Sequence, residues 1–144
     1  MRRKELSNLT DSPDRRFTLS KSHILRGRRN FEELFSSSSL LIKSSDIILR
    51  YTTNPDADKN ILVGFIAPKK IGNAVKRTRT KRLLREAYRL NQHIITDLPD
   101  IAQIGLHYAF MAKHANLTFD AAERNVTELL GKLREQLLSK NSPL

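Results

Sequence analysis

The chain has 144 residues, of which 39% are hydrophobic, and a formal net charge of +11. This length suits one domain with a core of its own, and the hydrophobic content excludes general disorder. The absence of cysteine excludes disulfides, thiolate catalysis and thiolate zinc sites. No apolar run is long enough to span a membrane and no apolar segment follows the basic start, so we expect a soluble cytoplasmic protein without a secretory signal.

The first half of the chain predicts a flexible arm, one short helix and a group of strands. Residues 1–20 lack periodicity, which favours a flexible basic arm that orders only on a binding partner. Apolar residues at helical spacing predict a short helix over residues 28–35. Alternating apolar residues predict strands over 47–52 and 61–67, with an earlier short strand or strand edge at 40–43.

The second half predicts two long helices that flank one more strand. Helical spacing runs from Ala74 to about Asn91, alternation covers residues 104–112, and Thr118 is placed to cap a long amphipathic helix. We place a single domain over residues 21–138 and a tail over 139–144. The order of elements favours an α+β sandwich, one small, mostly antiparallel sheet with helices packed on it.

The positive charge is concentrated in one window, Lys69 to Arg89. This window holds nine basic residues and one acid, Glu86, so it supplies +8 of the net charge of +11. On a helical wheel, apolar residues gather on one side and cations on the other, which predicts a core face and a charged face. The cations of the charged face are Lys81, Arg82, Arg85 and Arg89.

A solvated charged face is the common alternative to a binding site, but such faces usually mix both signs. Here Lys81, Arg85 and Arg89 follow each other at four-residue spacing and repel, and Glu86 has no evident partner in the sequence. We therefore expect an anionic polymer to neutralise them, with nucleic acid as the first candidate. Gly72 permits close backbone approach, and the mix of Lys and Arg favours contacts with phosphates over contacts with base edges.

The run from Lys69 to Tyr88 closely resembles the signature of the bacterial ribonuclease P protein subunit, and the looser resemblance extends over residues 17–137. One departure is Thr78, which stands where the family has a central Asn. By this resemblance the residues expected to contact RNA are Lys69, Lys70, Asn73, Lys76, Arg77, Thr78, Arg79, Lys81, Arg82, Arg85 and Arg89.

The resemblance implies a partner of a catalytic RNA that removes the 5′ leader of precursor tRNA. It implies an active centre in the RNA with Mg²⁺, no cofactor bound by the protein, no obligate protein partner and no membrane. It also implies that the basic helix lies in a left-handed β-α-β crossover. A cleft between the first helix and the sheet would hold the leader, lined by Phe31, Phe35, Arg50 and Tyr51. The residues alone leave open whether Phe31 and Phe35 are core or stacking platforms.

The chain offers no catalytic apparatus of its own. None of the four histidines, His23, His93, His107 and His114, has the spacing of a metal-ligand pair, and no Gly-rich phosphate loop is present. The leading hypothesis is therefore the protein subunit of a ribonucleoprotein endoribonuclease for tRNA 5′ maturation. The alternative is a ribosomal or architectural RNA-binding protein. A self-sufficient nuclease would need an acidic or histidine site that the sequence lacks.

Overall fold

Four strands form one mixed sheet in the computed structural model, which describes residues 18–36, 39–53, 61–99, 101 and 105–140. The strands lie in the order β1-β2-β4-β3. β1 pairs with β2 and β2 with β4 in antiparallel fashion, whereas β3 pairs with β4 in parallel. The predicted small, mostly antiparallel sheet is confirmed. The strands are β1 (Leu40–Lys43), β2 (Ile47–Thr53), β3 (Leu62–Ile66) and β4 (Leu106–Ala112).

Four α-helices accompany the sheet within the described residues. The basic helix has the predicted bounds, and the short helix near the start ends one residue earlier than predicted. A four-residue helix that the sequence did not indicate follows the basic helix, and the last helix reaches two residues into the predicted tail. The helices are α1 (Arg28–Leu34), α2 (Ala74–Asn91), α3 (His93–Thr96) and α4 (Phe119–Lys140).

The parallel pair β3 and β4 is joined through α2 and α3, so α2 lies inside a β-α-β unit. A 3₁₀ turn at Lys69–Ile71 follows Pro68 and leads from β3 into α2. The position of α2 between β3 and β4 agrees with the β-α-β crossover that the resemblance implies. The left-handed sense of that crossover stays a prediction. The predicted arm up to residue 17 and the end of the predicted tail, from residue 141, lie outside the described residues.

The main core lies between one face of the sheet and the helices α2 and α4. On β2 the buried residues alternate, with Ile47, Leu49 and Tyr51 fully buried, because one face of this strand meets the core. On the other face, α1 packs on a small cluster of Leu25, Leu34 and Ala109. Since both faces are covered there, β4 is buried almost throughout. Within the described residues, no helix combines the length and apolar character that crossing a membrane requires.

Candidate nucleic-acid interface

The start of α2 is set by Gly72 and Asn73. The side-chain oxygen of Asn73 accepts a hydrogen bond from the backbone N–H of Lys76 at 2.9 Å, which caps the helix. A Cβ atom at Gly72 would lie 2.9 Å from Cδ of Lys76, so a larger residue would push this side chain away. Asn73, predicted to contact RNA, thus also has a structural role at the exposed beginning of the helix.

The rotation of α2 is determined by its buried side. Thr80, Leu84, Ala87 and Tyr88 are buried, and the ring of Tyr88 packs edge-on against that of Tyr108 on β4 at a centroid distance of 5.8 Å. Because this side is held in the core, the opposite side must face solvent. The cations of α2 and of the 3₁₀ turn before it that have no carboxylate partner are exposed, except Arg77, which lies in line with the buried side and is half-buried. We call this set the cationic face: Lys69, Lys70, Lys76, Arg77, Arg79, Lys81, Arg82 and Arg85.

None of the cations of this face forms an ion pair within the part of the chain that the structure describes. Two have other contacts: Arg79 Nη1 donates to the carbonyl oxygen of Leu117 at 3.4 Å, and the Arg85 guanidinium lies 5.9 Å from the ring centroid of Phe65. Neither contact neutralises charge. The face therefore carries an uncompensated positive field, which attracts polyanions.

Arg89 differs from the rest of the predicted set. Its Nη2 lies 2.6 Å from Oε1 of Glu86 and its Nε lies 3.0 Å from Oε2. These hydrogen bonds lower the pKa of Glu86 below its usual range. The expectation that Glu86 lacks a partner is wrong, because residues three apart on a helix are neighbours. Arg89 is thus partly neutralised before any ligand binds.

A groove lies between α1 and the sheet, with a volume of about 160 Å³. Phe35 at the end of α1 is 39% exposed, and the guanidinium carbon of Arg50 lies 4.9 Å from its ring centroid. Arg50 Nη1 also donates to Oγ of Ser39 at 2.8 Å, which holds the guanidinium over the ring. The groove is lined by Phe35, Leu41, Lys43, Ile48, Arg50, Ile66, Ala109 and Met111.

Two of the four predicted cleft residues do not line this groove. Phe31 packs into the small cluster under α1, where its ring would meet a Cβ on Gly64 at 3.1 Å. Tyr51 was predicted to lie opposite the α1 aromatics, and this is wrong. Successive residues of a strand face opposite sides, so Tyr51 points away from Arg50, is buried against α4 and donates a hydrogen bond to Gln136.

Sequence reasoning missed Lys43, Leu41 and Met111, which line the same groove. The register provides the signal: Leu41 lies opposite Arg50 on β2, and Lys43 lies opposite Ile48. Side chains opposite each other in a sheet share a face, so these two residues could have been placed beside Arg50 once β1 and β2 were paired.

Within the described ranges, no group of three or more His, Cys, Asp or Glu side chains is placed to hold a metal ion. The polar cluster around Asp46 anchors a turn. His114 Nε2 lies 2.8 Å from Oδ1 of Asp46, a hydrogen bond that lowers the pKa of Asp46. Asn125 on α4 binds the same turn, accepting from the Asp46 backbone N–H at 2.8 Å. The cluster therefore ties the β1–β2 turn to α4.

Comparison with known proteins agrees with this architecture. The ribonuclease P family model matches residues 19–134. The chain is 34% identical over 116 residues to the ribonuclease P protein component of Porphyromonas gingivalis (strain ATCC 33277), covering 79% of this chain and 85% of that protein. It is 29% identical over 120 residues to the corresponding protein of Syntrophus aciditrophicus (strain SB), covering 79% of this chain and 98% of that protein.

Solved structures share the fold. The RNase P protein of Staphylococcus aureus aligns with a TM-score of 0.61 at 18% identity, covering 78% of this chain and 95% of that one. The RNase P protein of Thermotoga maritima aligns with a TM-score of 0.60 at 22% identity, covering 76% and 96%.

The sheet, its crossover and the unpaired cationic face define a small α+β protein of the polyanion-binding class. The family match and the relatives make this more specific. The chain belongs to the ribonuclease P protein family, the protein component of an RNA–protein endoribonuclease that processes the 5′ end of tRNA.

Proposed function

We propose that the cationic face binds the phosphate backbone of the ribonuclease P catalytic RNA and that the groove beside Phe35 receives the 5′ leader of precursor tRNA. The observation that carries the first part is a set of eight cations along one helix and its lead-in, without a carboxylate partner among the described residues. Phosphates are the ligands that such a face can bind in number, and their counterions are released on binding.

In this mechanism the protein contributes affinity and the RNA performs the chemistry. Mg²⁺ at the active centre is held by the catalytic RNA, and the protein binds no cofactor. The cations reduce repulsion between RNA segments that must approach each other, so less Mg²⁺ is needed for the active fold. Because tRNA is transcribed in the bacterial cytoplasm, a protein that takes part in the cleavage of precursor tRNA acts there.

The groove suits an unstacked nucleotide of the leader. An exposed aromatic ring can stack on a base and contributes about 1–3 kcal/mol by doing so. Phe35 is exposed enough for this role, and Arg50 beside it carries a buried Nε without a hydrogen-bond partner in the described part of the chain. Buried donors are nearly always satisfied, so an oxygen of the bound leader is a suitable acceptor.

Reconstitution with the catalytic RNA tests both parts. Arg82→Glu should weaken binding of the catalytic RNA and raise the Mg²⁺ concentration needed for leader removal. Phe35→Ala should instead weaken binding of precursor tRNA with a leader, by about 5- to 160-fold from the stacking energy, and leave leaderless tRNA unaffected. Lys132→Glu on α4, where Lys132 already pairs with Glu128 at 3.1 Å, is the charge-matched control for Arg82→Glu.

Wild-type binding of the catalytic RNA by the Arg82→Glu variant would show that the cationic face is not the RNA site. If the protein bound RNA but left the Mg²⁺ requirement unchanged, the alternative of a ribosomal or architectural RNA-binding protein would be favoured.

A further inference from the structure

Thr78 is exposed, and its hydroxyl forms no hydrogen bond with the described residues. Inside helices, threonine hydroxyls commonly bond to the carbonyl three or four residues back. Thr80 and Thr127 do so, donating to Lys76 and Glu123 at 2.8 and 2.9 Å. Thr78 forms no such bond to Ala74, nor another one within the part of the chain that the structure describes. Its hydroxyl is therefore available to donate one hydrogen bond and accept others.

Thr78 lies in a defined setting on α2. An open groove of about 460 Å³ is lined by Ala74, Val75, Thr78, Arg79 and Arg82. From Val75, the next three follow at i+3, i+4 and i+7, so they form one stripe about 10 Å long. Val75 is 77% exposed, more than any other large hydrophobic residue in the described ranges. The stripe thus presents an apolar group, a free hydroxyl and two guanidinium groups in that order.

This combination matches the sugar–phosphate backbone of RNA better than it matches phosphate alone. Guanidinium groups bind phosphates, but a phosphate tract gives no reason for an exposed valine or a free hydroxyl between the cations. A ribose offers an apolar C–H surface and a 2′-hydroxyl that both donates and accepts. In A-form RNA the 2′-hydroxyls line a wide, shallow minor groove that an exposed helix face can approach.

We propose that this stripe binds the minor-groove side of an A-form segment of the catalytic RNA, with the Thr78 hydroxyl bonded to a ribose 2′-hydroxyl. Val75 then packs on the sugar, while Arg79 and Arg82 hold the adjoining phosphates. Since one hydroxyl cannot form the paired contacts by which Asn or Arg reads a base edge, the stripe distinguishes RNA from DNA without reading sequence. This proposal rests on the proposed function, because it assumes that the cationic face contacts the catalytic RNA.

The test compares Thr78→Val with Thr78→Ser on the full chain. Valine keeps the branched shape and removes the hydroxyl, whereas serine keeps the hydroxyl. Thr78→Val should bind the catalytic RNA about three- to tenfold more weakly, the worth of one hydrogen bond, with an unchanged salt slope because no charge is lost. Thr78→Ser should bind like the wild type. Thr127→Val, which removes a hydroxyl already bonded within α4, is the matched control and should have no effect on RNA affinity.

A second measurement locates the ribose. Catalytic RNA carrying single 2′-deoxy nucleotides at random positions is partitioned by binding to each variant. The wild-type protein should select against deoxy substitution at one or a few positions, and Thr78→Val should lose that selection. In a double-mutant cycle, the affinity lost through Thr78→Val and the affinity lost through the 2′-deoxy substitution should be non-additive.

Wild-type RNA affinity in Thr78→Val would overturn the proposal. So would weaker binding with an unchanged deoxy-interference pattern, since the hydroxyl would then contact a phosphate. Circular dichroism should show an unchanged fold for this exposed substitution, and Thr78→Ala serves as the second hydroxyl-free variant if Val perturbs it. Arg82→Glu distinguishes failure of this proposal from failure of the proposed function. If both Thr78→Val and Arg82→Glu bind the RNA normally, the cationic face itself is misassigned. If only Arg82→Glu loses affinity, the ribose contact alone is rejected.

Discussion

Removing the carboxylate of Glu86 should strengthen RNA binding. Glu86 pairs with Arg89, and this pair is the only carboxylate contact among the described cations of α2. Glu86→Gln leaves Arg89 with its full charge on the same side of the helix as Arg82, two turns away. The pair is a surface ion pair between half-exposed side chains, worth about 0.2–1 kcal/mol, so the fold should tolerate its loss.

The expected gain follows from counterion release. One additional phosphate contact steepens the slope of log K against log salt by about 0.7 to 0.9. If Glu86→Gln and the wild type bind equally at 1 M salt, the steeper slope makes the variant bind roughly four- to fivefold more tightly at 0.15 M salt. Equilibrium titration of labelled catalytic RNA at several salt concentrations gives both quantities.

Glu128→Gln is the matched control for this gain. It makes the same chemical change and the same charge change on α4, where Glu128 pairs with Lys132 at 3.1 Å. It should alter the slope far less, because its site does not contact RNA. Equal slopes for Glu86→Gln and the wild type, or equal gains in both variants, would refute the assignment of RNA contacts to this face of α2.

Two further predictions concern the core. Tyr88→Phe leaves the fully buried Tyr108 hydroxyl without its partner, and urea unfolding should show a loss of about 1–3 kcal/mol, whereas Tyr88→Phe with Tyr108→Phe should cost less than the sum of the single changes. His107 is buried on β4, and burial lowers its pKa. The unfolded chain protonates this histidine near pH 6.5 and the folded one only at lower pH, so the free energy of unfolding should fall as the pH drops from about 7 through that window. His107→Gln should flatten this decline, and an unchanged pH profile would contradict the burial effect.

The basic helix, including its approximate bounds, was predictable because its signals are local. Its 3.6-residue periodicity separates the core and charged faces, Pro68 ends the preceding strand, and Asn73 is a preferred capping residue. The structure then confirmed which side is buried, with Leu84 and Tyr88 in the core. The pair of Glu86 and Arg89 was also within reach of sequence reasoning, since it lies at three-residue spacing on one helix.

The groove was harder to predict from the sequence. Phe31 and Phe35 have the same helical signal, and only packing on Gly64 shows that Phe31 is held in the small cluster under α1. Alternation on β2 implies that Arg50 and Tyr51 face opposite sides, but it does not say which side faces α1. That choice depends on strand order and on where each helix packs.

The fold class, the family signature and the helix that carries the charge could be predicted from the residues alone, because each depends on periodicity and composition within a short window. The folded arrangement was needed to show which cations keep their charge uncompensated, which aromatic ring is exposed, and that Thr78 has a free hydroxyl beside Val75. These properties arise from contacts between side chains that the fold brings together or keeps apart. Such contacts set burial and hydrogen bonding, which no local pattern contains.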